Sequence, residues 1–559
     1  MIFALKEILM SSLIYLRGQG LTIDQVIDIA EGNSKVAFSD ETRKNIQDFR
    51  TKLEKQIISH PEIPIYGVNV GCGDLKDQSL NAEAFEEYQL RYLKAHNCAT
   101  GKPLPIPVVR AMMVIRLNSF AKELSGVQLS TCDALINMIN YGVTPWILEE
   151  GSVGASGDLI PLAMMAASMV GLPDAKSYYQ GELMPALEAL QKAGLTPPHL
   201  GAKEAMALTN GTTFMTAMSI FALHDAWNLF YSASISAALS LEAIRGETRA
   251  FQHILHDHRP HDGQTVVAHH IRTLIKDSLR MTPEAQKLQF KHQNIDTVKA
   301  RVQDRYSFRA VPQIHGPVYE SLQTFQHVLE VEINSATDNP LLTEDNGMIE
   351  AYSGANFHGQ PLAAVIDYVK ITLTSLGLVS DKRSFSLLSK HLNYGLPTNL
   401  AVNPANGDTG LMIAQYLGAS RAAECRVLST PASITSVATS ASQEDYVSMG
   451  SIGVVHLRKI IENLYTILSI ELLCALRALQ MTQDNACLEN NSSSLDCNIL
   501  KQLGNGTQKI YNFLNGEFPL SDSDTYLRIE IEKMKNILTS TNWKQMSYKI
   551  SNNKIDKSV

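Results

Sequence analysis

The chain of 559 residues is 45% hydrophobic and 19% charged, the balance of an ordinary globular protein. Its formal charge of −8 is spread along the sequence, which argues against nucleic acid or an anionic membrane as the main partner. Seven cysteines are scattered, odd in number and without a CxxC pair; this fits a reducing cytoplasm and not a disulfide framework.

Length alone predicts about three or four domains, although long helices can weld such a chain into one body. The opening MIFALKEILMSSLIYL is apolar, but Lys6 and Glu7 interrupt it and no clear small-residue cleavage site follows. It reads as a helix or a flexible arm rather than an export signal. No run of about 18 uncharged apolar residues occurs elsewhere, so no membrane span is implied.

Helical signals then follow in order. Thr22 and Gln25 have capping-box spacing and open TIDQVIDIAEG, stopped by Gly32. Residues 108–124, VVRAMMVIRLNSFAKEL, carry apolar side chains at helical spacing. Residues 212–244 contain no Gly or Pro and are apolar nearly all round, the pattern of a helix buried on several sides. VYESLQTFQHVLEVEINSA, 318–336, follows Pro317, a good first-turn residue. Residues 454–481 again read as a long buried helix, LENNSSS at 488–494 as a loop, and the Lys-rich tail KQMSYKISNNKIDKSV as frayed. Strands are predicted to be minor. The fold class is therefore all-α in the main, a bundle of long helices with a loop-rich N-terminal region. Three regions are expected: 1–210, 211–485 as the long-helix bundle, and 486–559.

The stretch GSVGASGDLIPL, 151–162, has no reading as a phosphate loop, because Asp158 follows Gly157 where Lys is needed. It has no GxSxG hydrolase elbow either, since Asp158 stands at +2 from Ser156. Two readings remain. In one, Ser156 is the N-cap of a buried helix LIPLAMMAASMVG and Asp158 suits its positive end. In the other, the Gly157 nitrogen closes a five-membered ring on the Ala155 carbonyl and Ser156 loses its hydroxyl as water. That chemistry needs an unhindered Gly nitrogen, a small Ala and a Ser leaving group.

Further stretches favour the second reading: YGVNVGCGD (66–74), LTNGTT (208–213), RPHDGQ (259–264), QDRYSFRAVPQIHGP (303–317), DNPLL (338–342), SGANFHGQP (353–361), GLPTNL (395–400) and SQEDYVSMG (442–450). With GSVGASGDLIPL they make the chain, from about residue 20 to about 485, resemble the aromatic amino acid ammonia-lyases. The resemblance implies an L-aspartase/histidase-like helical bundle. It also implies a 4-methylideneimidazol-5-one (MIO) group formed from Ala155, Ser156 and Gly157, with no external cofactor. A homotetramer with active sites shared between chains is implied too, and a small aromatic L-amino acid as substrate.

It further implies roles. Tyr66 is the base, although a phenol near pKa 10 needs cationic or helix-end surroundings to act at neutral pH. Asn210 bonds the prosthetic ring or the substrate; as an isolated residue it reads as a cap of the following helix. Gln303 and Tyr306 lie beside the prosthetic group. Arg309 clamps the substrate carboxylate, a task that suits its guanidinium fork. Phe357 lines the aromatic pocket. Glu424, a charge in an apolar helix that needs a partner, faces the substrate's amino group or ring.

His96 and Met412 lean towards the histidine enzymes, where an imidazole reads the substrate imidazole. Val70, Cys72, Thr430 and Tyr446 depart from that pattern and put the substrate in doubt. L-Histidine to urocanate is the leading expectation. A phenylalanine or tyrosine lyase, or an aromatic aminomutase, is the alternative. The His-rich stretch 253–270, with His253, His256, Asp257 and His258, suggests a helical metal-binding protein as the rival class. It has no HExxH spacing, and no metal site is expected.

Overall fold

The computed structural model describes residues 12–71, 78, 85–287, 302–483, 499 and 501–551. The expectations on residues 1–11, Cys72, 488–494 and 552–559 lie outside the described residues. The architecture is mainly α-helical, with small two- and three-stranded sheets.

The described residues form two compact units. The first comprises 1–222, 325–367 and 431–455; the second comprises 223–324, 368–430 and 456–559. These units are discontinuous in sequence, unlike the consecutive regions 1–210, 211–485 and 486–559. Four long helices, Thr213–Ile244, Val311–Glu332, Gln360–Leu388 and Gly450–Gln483, each contribute to both. Gln360–Leu388 and Gly450–Thr482 are long and apolar enough to cross a membrane, but their most apolar windows are 72% and 83% buried in the protein. That burial is how a core helix uses such a stretch.

The first unit holds every described strand. The capping box predicted at Thr22 and Gln25 forms, and the helix runs Ile23–Ala30. Residues Ser12–Leu16, expected as part of a helix or arm, form a strand parallel to Ser34–Phe38, with Ser12 opposite Ser34. The β-branched and aromatic residues of SLIYL suit that edge pairing. The helix Ile106–Phe120 is buried from Val108 to Phe120, including Arg110 and Arg116.

In the second unit the Arg383 guanidinium grips Glu471 at 2.6 and 2.9 Å, and the Ser240 and Ser380 hydroxyls complete the carboxylate's shell at 2.7 and 2.5 Å. A fully buried charge pair is tolerable only with that degree of satisfaction. Pro317 does not begin a helix; it lies inside Val311–Glu332, because a neighbour-packed helix can absorb one missing N–H. The Lys-rich tail is helical over Trp543–Ser551. Trp543 is fully buried and donates its indole N–H to the Leu538 carbonyl at 3.0 Å, so packing outweighs the polar composition. In the His-rich stretch, His256 donates to the Ala250 carbonyl at 3.2 Å and accepts from Gln264 at 3.0 Å, a packing role.

Candidate active site

The loop Gly151–Asp158 leads into the buried helix Leu159–Met169. Ser156 is not its N-cap: Asp158 holds that position and makes no side-chain cap bond there. Asp158 serves another helix. Its Oδ2 accepts the Met215 amide at 2.9 Å, in the first turn of Thr213–Ile244, where a negative charge suits the helix dipole. Its Oδ1 accepts the hydroxyls of Ser451 at 2.7 Å and Ser152 at 3.2 Å. Burial is the largest influence and pushes the carboxyl up to about 6, against the pull of these hydrogen bonds.

The loop is fixed from two flanks. The Gly211 amide donates to the Ser156 carbonyl at 3.3 Å and the Asp158 amide to the Gly211 carbonyl at 2.8 Å. Gly157 has φ +77°, and a Cβ there would overlap the Gly211 carbonyl; only glycine fits both demands. On the other flank, the Met449 amide donates to the Val153 carbonyl at 3.0 Å and the Ser448 hydroxyl to the Gly154 carbonyl at 3.3 Å.

Within this frame the half-buried Ser156 hydroxyl donates to Glu444 Oε1 at 2.7 Å. The other carboxylate oxygen of Glu444 accepts the Thr439 hydroxyl at 2.9 Å. The glutamate beside the serine is thus Glu444. Glu424 lies in the second unit, where it bonds Arg421 at 3.0 Å and Asn463 at 2.9 Å. Burial acts to raise its pKa, but the Arg421 and Asn463 bonds outweigh it, and the net shift is downward. The partner that a charge in an apolar helix requires is therefore local. Glu444 lies within SQEDYVSMG, so the motif was in view, but nothing in the residue spacing singled out its carboxylate.

Asn210 adjoins the loop through Gly211. It caps the C-terminus of Glu204–Thr209 rather than the N-terminus of the long helix. Its carbonyl accepts from Arg116 at 2.7 Å, and its side-chain Oδ1 is buried with no partner. Arg116 also reaches the carbonyl of Ala207 at 2.7 Å and the hydroxyls of Thr213 and Thr337 at 2.8 and 3.0 Å. Burial lowers its pKa to about 10, so it stays cationic at neutral pH and braces this helix end. An arginine inside an otherwise apolar helix was the available signal for this brace.

His96, and the glycine that follows Tyr66, are held against the same helix Glu204–Thr209. The half-buried Tyr66 lies in a turn pinned by Asn69, which accepts the Ile65 amide at 2.7 Å and donates to the Ile63 carbonyl at 2.8 Å. Gly67, at φ +65°, faces the Met206 side chain so closely that a Cβ would overlap it. His96 ends the helix Phe85–His96. Its ring stacks on Tyr92 at 3.9 Å between centroids, and the Tyr92 hydroxyl meets Thr209 at 3.4 Å. The His96 Nδ1 lies 2.8 Å from the Tyr92 carbonyl. A carbonyl only accepts, so Nδ1 carries the hydrogen and Nε2 of the neutral ring is an acceptor. Phe357 is half-buried in the first unit. Its neighbour His358 meets the Tyr446 carbonyl at 3.2 Å, two residues beyond Glu444.

Tyr66, His96, Ala155, Ser156, Gly157, Asn210, Phe357 and Glu444 all belong to the first unit, where the serine loop is bonded to Glu444 and to Gly211, the neighbour of Asn210. Gln303, Tyr306, Arg309, Met412 and Glu424 belong to the second unit. There the Arg309 guanidinium stacks on the Tyr306 ring at 4.7 Å, and the Arg309 Nε is buried without a partner. Tyr306 is 71% exposed and Gln303 is exposed. Met412 is half-buried at the first position of the helix Met412–Leu428.

Residues 21–511 match the family described as aromatic amino acid lyase. Histidine ammonia-lyase 2 of Fusobacterium nucleatum subsp. nucleatum is 36% identical over 532 residues, spanning 95% of this chain and 97% of that protein. Histidine ammonia-lyase of Deinococcus radiodurans is 38% identical over 520 residues, spanning 93% and 92%. Among solved structures, tyrosine aminomutase from Streptomyces globisporus is similar, with a TM-score of 0.84 and 30% identity over 97% of this chain and 100% of that one. The chain belongs to the aromatic amino acid lyase family, and with it to the carbon–nitrogen lyases.

Proposed function

We propose that this enzyme eliminates ammonia from L-histidine to give urocanate, using an MIO group matured from Ala155, Ser156 and Gly157. The observation that carries the reading is the Ser156 loop itself. A hydroxyl bonded to Glu444 at 2.7 Å is framed by a glycine that tolerates no side chain and by an orphaned buried Asn210 Oδ1. A buried acceptor without a partner is costly; the ring has no N–H to give, so Oδ1 is left for a substrate N–H, while the Asn210 side-chain NH2 can donate to the ring's carbonyl oxygen. The residues present therefore fit the group. When formed, it supplies an electrophilic carbon that no ordinary side chain offers.

The chain's own residues do the rest. Asn210 holds the ring, and Arg309, with its unpaired Nε, holds the substrate carboxylate. Tyr66 takes the proton from the carbon beside the aromatic group. Glu444, bonded to Ser156, is the glutamate this reading places facing the substrate's amino group or ring, the role the family resemblance assigns to Glu424, which is bonded to Arg421 and Asn463. His96 offers Nε2 as acceptor to the substrate's ring N–H, and Phe357 and Met412 supply apolar walls. The exposure of Tyr306 and Gln303 suits residues donated to a neighbouring copy in a homotetramer. A cytoplasmic setting is supported by the free thiols of Cys98, Cys132, Cys425 and Cys474.

A second reading is an aminomutase or lyase acting on tyrosine, favoured by the likeness to tyrosine aminomutase. The His96 acceptor would serve a phenol O–H equally well. Separate incubations with L-histidine, L-phenylalanine and L-tyrosine decide between the two. Urocanate from histidine, read by absorbance, is expected. Coumarate or a β-amino acid from tyrosine, with no product from histidine, would favour the second reading.

A further inference from the structure

The Ser156 hydroxyl donates directly to Glu444 Oε1 at 2.7 Å. Glu444 is held for it. The Thr439 amide donates to the Glu444 carbonyl at 2.8 Å, and the Glu444 amide returns to the Thr439 carbonyl at 3.3 Å. Between them Ser440, Ala441 and Ser442 have φ of 51°, 50° and 68°. Three successive non-glycine residues in the left-handed region store strain, a pattern that concentrates at functional sites. The same segment is latched to the serine loop through Met449 and Ser448, as described above. Asp158, two residues from Ser156, is the nearer acid in sequence, but both its oxygens are engaged by Met215, Ser451 and Ser152.

We propose that Glu444 is the acid that removes the Ser156 hydroxyl during maturation. The inference rests on the reading that Ser156 is consumed, and adds which group drives the dehydration. Hydroxide is a poor leaving group, so the step needs a proton at Oγ. The Ser156 Cα proton passes to solvent water, and its electron pair becomes the Cα=Cβ bond. The Cβ–Oγ bond breaks. Oγ departs as water, carrying its own hydrogen and a proton relayed from solvent through Glu444 Oε1. Nothing is oxidised or reduced. Ring closure, in which the Gly157 nitrogen bonds to the Ala155 carbonyl carbon and a first water leaves, does not require this carboxyl.

Intact-mass measurement of freshly made wild type, Glu444→Gln and Glu444→Asp subunits tests this, with thermal melting to verify folding. Wild type is expected to lose two waters. Glu444→Gln keeps the hydrogen bond but cannot relay a proton; it should lose only one, with dehydration slowed by about a hundredfold or more. Glu444→Asp should recover part of the second loss, and it serves as the reading if Glu444→Gln does not fold. Two waters lost from folded Glu444→Gln as fast as from wild type overturns the proposal. A wild type with no loss overturns the underlying reading instead, and the proposal with it.

Discussion

Asp158 Oδ2 accepts the Met215 amide at 2.9 Å, so the residue that follows Ala155, Ser156 and Gly157 anchors the start of the 32-residue helix Thr213–Ile244. Its other oxygen holds Ser451 and Ser152. Three donors thus depend on one fully buried carboxyl. Asp158→Ala should destabilise the protein by about 2–4 kcal/mol, since each stranded buried donor costs on the order of 1–3 kcal/mol. The loop should lose its alignment at the same time. A melting curve and an intact mass check both; an unchanged melting temperature contradicts this role.

Gly157→Ala introduces a Cβ that overlaps the Gly211 carbonyl, at a backbone position with φ +77°. The strain is about 1–3 kcal/mol before the overlap is counted. The variant should fold less stably and retain the Ser156 hydroxyl. Peptide mapping across residues 151–162 reads the outcome, and a fully dehydrated peptide would count against the steric argument.

His96 keeps its Nδ1 hydrogen on the Tyr92 carbonyl and so offers an acceptor at Nε2. His96→Leu should lower kcat/KM for L-histidine by about 10- to 100-fold, the worth of one buried hydrogen bond to a polar ring. Phenylalanine turnover should fall less or rise. Equal losses on both substrates would mean that His96 only packs.

His270 and His315 are buried in the second unit with both ring nitrogens unpartnered. Burial, then the neighbouring His269, lowers His270 to about 4; burial, then Arg383 and His270, takes His315 well below its ordinary value. An unfolded histidine binds its proton near pH 6.5, so the unfolded state holds more protons than the folded one below that pH. Stability therefore falls as pH drops from about 6.5 towards 4, by up to about 1.4 kcal/mol per pH unit for each such ring. His270→Phe removes one titrating group and strands no partner. Its melting temperature should decline less than that of wild type between pH 7 and pH 5. A parallel decline would exclude His270 as a source of acid sensitivity.

Local rules carried much of the fold. The Thr22–Gln25 capping box and the Gly- and Pro-free run 213–244 are realised because each is decided within a few residues or by one composition. What escaped was decided by distant partners. Ser12–Leu16 becomes a strand through Ser34–Phe38, and Pro317 is absorbed by the packing of its helix. Ser156 taken with its neighbours alone suits an N-cap, but Asp158 holds that position and the Ser156 hydroxyl finds its partner 288 positions away at Glu444. Glu424 drew attention as a charge in an apolar helix, yet Arg421 and Asn463 satisfy it. Hydrogen-bond partners across hundreds of residues leave no mark in spacing.

If Ser156 is consumed to make the electrophile of an ammonia-lyase, removing its hydroxyl must abolish turnover. The most direct measurement compares wild type with Ser156→Ala, each folded and at equal concentration, incubated with L-histidine while urocanate is followed by absorbance. Wild type should accumulate urocanate and release ammonia in equal amounts. Ser156→Ala, with no hydroxyl to lose, should make none above background. Urocanate formed by Ser156→Ala at the wild-type rate would show that Ser156 is not the source of the electrophile.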